Sequence, residues 1–512
     1  MLARTYACAV LGLDGHVIEV EVDFNPTALP AFIIVGLPDS AVQESKERVR
    51  AAIKNSGLRF PMKRFVVNLA PADIRKVGPA YDLAIAIGCL AVTDQVPLHK
   101  LDNAMFIGEL SLDGSVKHIS GVLPIAYSAQ QSGFDKIYVA VEDAPEAALL
   151  PNIEVIPVPS LGHLVEHLYD LSPIPPYRRS DDRDSLFHTP SDSLIDMQDI
   201  KGQEHVKRAL EVAAAGFHNL LMVGSPGVGK TLMARALPGI LPSLTWEEAL
   251  EITRIYSVAD SLSNGHNLIT HRPFRSPHHT ISEAGLVGGG TIPRPGEISL
   301  AHLGVLFLDE FPEFGIHTLE VLRQPLEDKK VTISRARVAL EFPSNFMLVA
   351  AMNPCPCGYL HDPTHACTCT DSMIRKYQQK ISGPIIDRLD IHVDVPRVDY
   401  DKLTGQIRGE SSQEVRERVE HARILQRERF KGMPHLHANA DMRPKEIEHF
   451  CQTTPEAAQL LKVTLHKMQL SARAYHRILK LARTIADLDG SGIISVPHLA
   501  EAIQYRPRRI TG

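Results

Sequence analysis

The stretch Asn219–Thr231, NLLMVGSPGVGKT, decides the fold. Four apolar residues, Leu220 to Val223, read as a buried strand; Gly224-Ser225-Pro226-Gly227-Val228-Gly229-Lys230-Thr231 follows at once, and the helical LMARAL comes next. The spacing G-x-x-x-x-G-K-[ST] between a strand and a helix is that of a phosphate-binding loop. Its glycines let backbone N–H groups close around phosphate oxygens, and the helix N-terminus adds a favourable dipole. In this reading Lys230 holds the β- and γ-phosphates of ATP, and Thr231 ligates Mg²⁺.

A second element fits the first. The apolar run Val305 to Leu308 ends in Asp309 and Glu310. A lone strand-terminal Asp-Glu is ordinarily a surface pair. Downstream of a well-formed phosphate loop it reads as chemistry, with Asp309 in the Mg²⁺ shell and Glu310 polarising the attacking water. The expected activity is ATP hydrolysis.

Working outward, the 512-residue chain has room for two to four domains, and its 44% hydrophobic and 22% charged residues are those of a soluble globular protein. The longest clean apolar run, Leu83 to Val92, is too short to cross a bilayer, and no cleavable signal pattern opens the chain. A cytoplasmic protein with no membrane partner is expected. The net charge of −6 excludes a generic polycation, but its distribution is uneven. Residues 1–170 carry 13 Lys+Arg against 20 Asp+Glu, and residues 401–512 carry 19 against 13. That asymmetry permits a local anion-binding surface; solvated helix faces explain it equally well.

Residues 1–170 mix β-branched runs (Val17 to Val22, Phe32 to Val35, Phe65 to Leu69, Lys136 to Val141) with helical stretches such as Ser40 to Ser56, which predicts an α/β domain. Residues 171–193, rich in proline, serine and charge, read as a linker. Strands alternate with helices over 194–400, predicting a mainly parallel sheet. Residues 401–512 read as helical, with Ile478, Leu481, Ile485 and Leu488 marking one buried face.

These pieces resemble the AAA+ ATPases. The resemblance implies that Asn353 is a polar sensor beside the γ-phosphate, that Asp199 to Gln203 (DIKGQ) is the entry motif beside the adenine, and that Arg388 in SGPIIDRLD is an arginine finger. It places Arg473 at the lid's second sensor arginine. A finger acting in trans implies a homo-oligomeric ring, expected to be a hexamer. Two insertions, HRPFRSPHHTISEAGLVGGGTIPRPGEISLAHLG and KKVTISRARVALEF, resemble the helix-2 insert and pre-sensor hairpin of magnesium-chelatase motors and minichromosome-maintenance helicases. Lys329, Lys330, Arg335 and Arg337 then become candidates for gripping a DNA backbone. An ordinary charged hairpin, or contact with a protein substrate, is the competing reading.

Four of the seven cysteines, Cys355, Cys357, Cys367 and Cys369, fall in one loop after the sensor strand. Four thiolates suit tetrahedral Zn²⁺, although C-x-C is less specific than C-x-x-C. His361 or His365 could replace one sulfur, and an unliganded or redox-labile cluster is the bland alternative.

MNPCPCGY…CTC, with TYACAVLGLDGHVIEVEVDF and IVGLPDSAVQESKERVRAAI near the N-terminus, closely resembles the ComM/YifB group of magnesium-chelatase-like AAA+ proteins across nearly the whole chain. The resemblance implies an ATP-dependent DNA helicase that migrates branches in homologous recombination, notably during natural transformation. A chelatase-like protein-remodelling ATPase is the alternative, and a binding module whose ATP site only controls assembly is a third reading. The expected fold is α/β throughout: a Lon-peptidase-like domain (ribosomal S5 domain 2-like), a parallel P-loop core and a helical lid. By the Lon resemblance the nucleophile position holds Ala80 and the lysine position Leu123, so peptidase chemistry is not expected.

Overall fold

The computed structural model describes residues 2–179, 195–262, 268–290, 293–335, 338–360, 362–398, 409–433, 436–469 and 471–506. Most of the expected linker, together with Arg337 and His361, lies outside them. The chain forms two compact units, Met1–His188 with Ala249–Ile269, and Thr189–Glu248 with Thr270–Gly512. No described helix is long and apolar enough to cross a membrane.

The first unit is built on a seven-stranded mixed sheet. Its strands are β1 (Leu2–Leu11), β2 (Asp14–Asn25), β3 (Ala31–Val35), β4 (Arg64–Ala70), β5 (Ala104–Phe106), β6 (Lys136–Ala140) and β7 (Glu154–Val158), in the order β3-β4-β2-β1-β5-β6-β7. Along β2, buried Ile18, Val20 and Val22 alternate with more exposed Glu19 and Glu21, so one face of the sheet is apolar. Helix Asp82–Ala91, buried at every residue, covers that face against Thr5 and Val22, whereas helix Val122–Gln131 packs on the other face against Gly15 and Cys8. Helix Ser40–Asn55 starts where the Asp39 carboxylate accepts the Val42 N–H at 2.8 Å, an N-cap that satisfies a donor the helix leaves open.

Residues 249–269, which the sequence places in the ATPase core, pack with this first unit instead. Gly121 N–H donates to the Ser257 carbonyl at 3.1 Å, and Arg254 donates to the Leu13 carbonyl at 2.7 Å while its guanidinium lies 5.1 Å from the centre of the Tyr127 ring. None of these partners is near in sequence, so periodicity within the segment carries no trace of them.

The second unit holds a five-stranded sheet made of β8 (Leu220–Val223), β9 (Phe274–Arg275), β10 (Val305–Leu308), β11 (Met347–Met352) and β12 (Ile391–Asp394). The order is β9-β10-β11-β8-β12, and every pairing is parallel. Strands β10 and β11 are buried along their whole length, the continuous apolar signature of a sheet covered on both faces. Helices Glu204–Gly216, Ser412–Arg429 and Ala472–Leu488 pack together, with Ile478, Leu481 and Ile485 fully buried. Gln426 donates to the Ala215 carbonyl at 3.0 Å, so the C-terminal helices share one core with the sheet unit. The hairpin read from KKVTISRARVALEF pairs Lys330–Arg335 antiparallel with Val338–Pro343.

Candidate nucleotide site

Parallel register brings the chemistry together. Val223 pairs with Met352, and Leu308 lies opposite Ala350, so the residues that follow these strands emerge at one edge. The phosphate loop follows β8, Asp309 follows β10, and Asn353 follows β11. Ligands of open parallel sheets bind at this carboxyl edge. Gly227 and Gly229 take φ of +78° and +91°, the left-handed region glycine enters without a Cβ penalty.

Lys230 is 8% exposed, and its ammonium donates to the carbonyls of Gly224 (2.6 Å) and Ser225 (3.0 Å) and to Asn353 Oδ1 (3.0 Å). Burial pulls its pKa below the ordinary lysine value, while the Asp309 carboxylate opposes the shift. Thr231 Oγ1 donates to Asp309 Oδ2 at 2.7 Å. A buried cation resting on its own loop's carbonyls, beside a paired hydroxyl and carboxylate, is a donor set that fits ATP with Mg²⁺. Phosphate oxygens can take over the lysine's donors, and the metal can take the threonine and aspartate oxygens.

Glu310 follows with φ +51°, and its carboxylate meets His279 Nδ1 at 3.1 Å. Glu310 and Asn353 line one pocket of about 390 Å³ with Glu313, Pro356, Lys376, Tyr377 and Lys380. Gln203 of the DIKGQ segment caps helix Glu204–Gly216 at φ +63° and donates to the Pro396 carbonyl.

Arg388 and Arg473 lie elsewhere. Both line a pocket of about 290 Å³ with Glu327, Asp387, Arg477 and Lys480, and no phosphate-loop residue borders it. Arg388 is paired with Glu327 and with the Pro384 carbonyl, while its Nε has no partner. Arg477 is anchored on Asp387 at 3.1 Å.

The candidate DNA contacts divide. Lys329 is drawn into an ion pair with the buried carboxylate of Asp441, which removes its charge from the hairpin surface. Lys330 stays outward and pairs with Glu341 at 2.8 Å. Arg335 belongs to the first hairpin strand, but its side chain lies outside the described residues, as does all of Arg337.

The four loop thiols converge. Cys355 Sγ is 3.3 Å from Cys357 Sγ and 3.7 Å from Cys367 Sγ, Cys357 and Cys367 are 3.6 Å apart, and all four sulfurs lie within 4.8 Å of one another. None is in a disulfide. A Zn–S bond of about 2.3 Å puts tetrahedral sulfurs about 3.8 Å apart, so the cluster is compatible with structural zinc. Backbone N–H groups of Tyr359 and Thr368 aimed at Cys357 lower its thiol, whereas burial and the neighbouring sulfurs raise those of Cys367 and Cys369, so negative charge is shared unevenly across the cluster. His365 stacks on Tyr359 with ring centres 4.9 Å apart and is not part of the sulfur group.

The sequence reading missed three side chains at this site. Asp362 accepts from Ser225 Oγ and from Arg397 Nε, both at 2.9 Å, and His279 meets Glu310. Their partners are distant in sequence, and only the spacing within the phosphate loop was a local signal. In the first unit, Ala80 and Leu123 offer no nucleophile or base, and Leu123 is buried.

A phosphate loop, a strand-end carboxylate pair and a polar sensor on neighbouring parallel strands define a P-loop ATPase of the AAA+ class. Family comparison matches residues 196–403 to "Magnesium chelatase, subunit ChlI", residues 20–143 to "Subunit ChlI of Mg-chelatase" and residues 409–506 to "Magnesium chelatase, subunit ChlI C-terminal". Competence protein ComM of Haemophilus influenzae is 44% identical over 507 residues, covering 99% of this chain and 97% of its own. The uncharacterized YifB of Escherichia coli is 42% identical with the same coverage. Lon protease 2 of Bacillus subtilis is 30% identical over 179 residues, 32% of this chain and 31% of its own. The chain belongs to the ComM/YifB group of magnesium-chelatase-like ATPases.

Proposed function

We propose that this protein is an ATP-driven DNA motor, a helicase that migrates branches during homologous recombination and the integration of transforming DNA, working in the cytoplasm as a hexameric ring. The observation that carries this reading is the separation of two half-sites. Lys230, Thr231, Asp309, Glu310 and Asn353 gather at the carboxyl edge of the sheet, whereas Arg388 and Arg473 line a pocket with no phosphate-loop residue. Arginines placed so would serve the nucleotide of an adjoining copy, and a ring of copies closes every site.

In this scheme Lys230 and the backbone of Gly224 to Thr231 hold the phosphates. Thr231 and Asp309 hold Mg²⁺, which supplies charge neutralisation on the phosphate oxygens when bound. Glu310 and Asn353 orient the attacking water, and Arg388 offsets the charge that builds on the transferred phosphoryl group. Lys330 and Arg335 on the hairpin, with Arg337, are the candidates to grip the DNA backbone. The word competence in a relative's name, at 44% identity over nearly the full chain, favours DNA as the substrate. The magnesium-chelatase likeness favours the second reading, remodelling of a protein partner.

One comparison separates them: ATP turnover with and without single-stranded, duplex and branched DNA, in the wild type and in Lys230→Ala. Stimulation by DNA, strongest with a branched substrate and absent in Lys230→Ala, is expected. Indifference to every DNA would overturn the motor reading.

A further inference from the structure

The four-thiol loop touches the phosphate loop directly. Its root is Asn353, which accepts from Lys230 at 3.0 Å, and its first thiol stands two residues further on. Gly358 takes φ +84°, and a Cβ there would fall 2.6 Å from Pro226 Cδ, so loop backbone rests on the Pro226 ring where only glycine fits. Four residues later Asp362 reaches the residue before that proline. Its Oδ2 accepts from Ser225 Oγ at 2.9 Å, and its side chain is 1% exposed.

Asp362 is itself fixed from several sides. Its Oδ1 accepts from Thr364 N (2.9 Å), Thr364 Oγ1 (2.7 Å) and His365 N (3.1 Å), while Oδ2 also meets Arg397 Nε at 2.9 Å. Arg397 follows β12, the strand beside β8, and its guanidinium lies 6.0 Å from the centre of the Tyr359 ring. A buried carboxylate with this many donors is held in one place, and it holds Ser225 in turn. Ser225 matters because its carbonyl is one of those on which the Lys230 ammonium rests. The loop between the thiols is mostly Pro, Gly, Asp, His and Thr, with little to bury, so the thiol cluster is what can hold its two ends together.

We propose that the four-thiol loop is a clamp on the phosphate loop: Asp362 is a positioning residue for Ser225 and Pro226, and Zn²⁺ held by Cys355, Cys357, Cys367 and Cys369 sets the affinity for nucleotide. The proposal rests on the ATP-binding reading above. It makes metal occupancy a determinant of nucleotide affinity, although no thiol needs to touch ATP.

The test measures zinc per chain and the Kd of a fluorescent ATP analogue, alongside kcat and KM, in the full-length protein. Asp362→Asn is expected to weaken analogue binding about tenfold and raise KM in step, with kcat within about twofold and zinc still near one per chain. Ser225→Ala, which removes one hydroxyl and leaves the loop its metal, is expected to shift Kd in the same direction. Stripping zinc from the wild type with a chelator should weaken binding comparably, and zinc added back should restore it. Stripping zinc from Asp362→Asn should add little, because both changes break one linkage. Unchanged Kd in folded Asp362→Asn and Ser225→Ala, unchanged Kd on zinc removal, or fully additive losses would each overturn the clamp. Lys230→Ala keeps the two readings apart: wild type that binds no analogue, like Lys230→Ala, sinks ATP binding itself, whereas wild-type binding indifferent to zinc and Asp362 sinks only the clamp.

Discussion

Thr231, in the first turn of helix Lys230–Ala236 after the phosphate loop, and Asp309, at the end of β10, lie 78 positions apart in the chain and share a hydrogen bond of 2.7 Å. Neither needs the other for folding, since strands β8 and β10 are each buried by their own apolar run. Both oxygens are hard ligands, and a hydroxyl beside a carboxylate suits Mg²⁺, which keeps several waters and takes few protein ligands. Glu310, the next residue, directs its carboxylate to His279 Nδ1 at 3.1 Å. The expected outcome is a split between binding and chemistry. Glu310→Gln should bind nucleotide within about threefold of wild type and lose at least about a hundredfold in turnover. Asp309→Asn should lose the Mg²⁺ dependence of binding. Equal turnover in Glu310→Gln would remove Glu310 from the water-orienting role.

Arg388 supplies the second prediction. Its guanidinium is held by Glu327 beside Arg473 in a pocket without phosphate-loop residues, and in the proposed ring its target is the nucleotide of an adjoining copy. Arg388→Ala should keep analogue binding and lose about a thousandfold in turnover. Mixing Arg388→Ala with Lys230→Ala should recover part of the activity, because a Lys230→Ala chain can lend its intact arginine to a neighbour's intact phosphate loop. An Arg388→Ala protein that turns over normally, or mixtures that never exceed the sum of their parts, would refute the shared site.

How far the sequence disclosed this site follows from the range of each interaction. Leu220 to Val223 and Val305 to Leu308 were legible because strands buried on both faces are apolar throughout, and the phosphate loop because its spacing is local. The long helix-forming and β-branched runs of residues 1–170 were legible for the same reason. Asp362 was not: its role comes from Ser225, 137 positions away, and from Arg397. Lys329 looked like an exposed hairpin cation because Asp441, 112 positions on, cannot be paired with it by pattern. Residues 249–269 fall within the family match to the ATPase region, yet they cluster with the first unit, and the contacts of Arg254 and Ser257 with Leu13 and Gly121 leave no periodic mark.

The thiol cluster predicts a metal stoichiometry. Sulfurs 3.3 to 3.7 Å apart without a disulfide sit close to tetrahedral spacing. Purified protein should carry about one zinc per chain, and the double variant Cys355→Ser, Cys357→Ser should carry none. Four intact thiols with no bound zinc, found in protein purified without chelator, would be the contrary result.

The first unit should weaken as pH rises, and two groups give the sign. Glu146 is buried, and burial pushes its carboxyl up to about 7 against the accepted Leu123 N–H bond of 2.8 Å. An unfolded chain releases that proton near 4.5, so between 4.5 and 7 each rise in pH favours unfolding, and the cost stays constant above 7. His118 works in the same direction at higher pH. Its Nδ1 faces the Asp143 carboxylate and its Nε2 lies 3.3 Å from Asp260, with Glu142 accepting its backbone N–H, and the pairing with Asp143 raises the imidazole to about 9. A histidine raised above its unfolded value stabilises fully below about 6.5 and loses that contribution as pH climbs through about 9. Hydrogen–deuterium exchange in the full chain reads the effect locally, once intrinsic rates are corrected for pH. Protection of the Ile119 and Leu123 amides should fall from pH 6 to pH 9. Glu146→Gln keeps an acceptor for Leu123 but cannot ionise, so its protection should exceed wild type at pH 8 and converge with it near pH 5. Protection that rises with pH in the wild type, or a Glu146→Gln profile parallel to it, would show that these buried groups do not control the stability of this region.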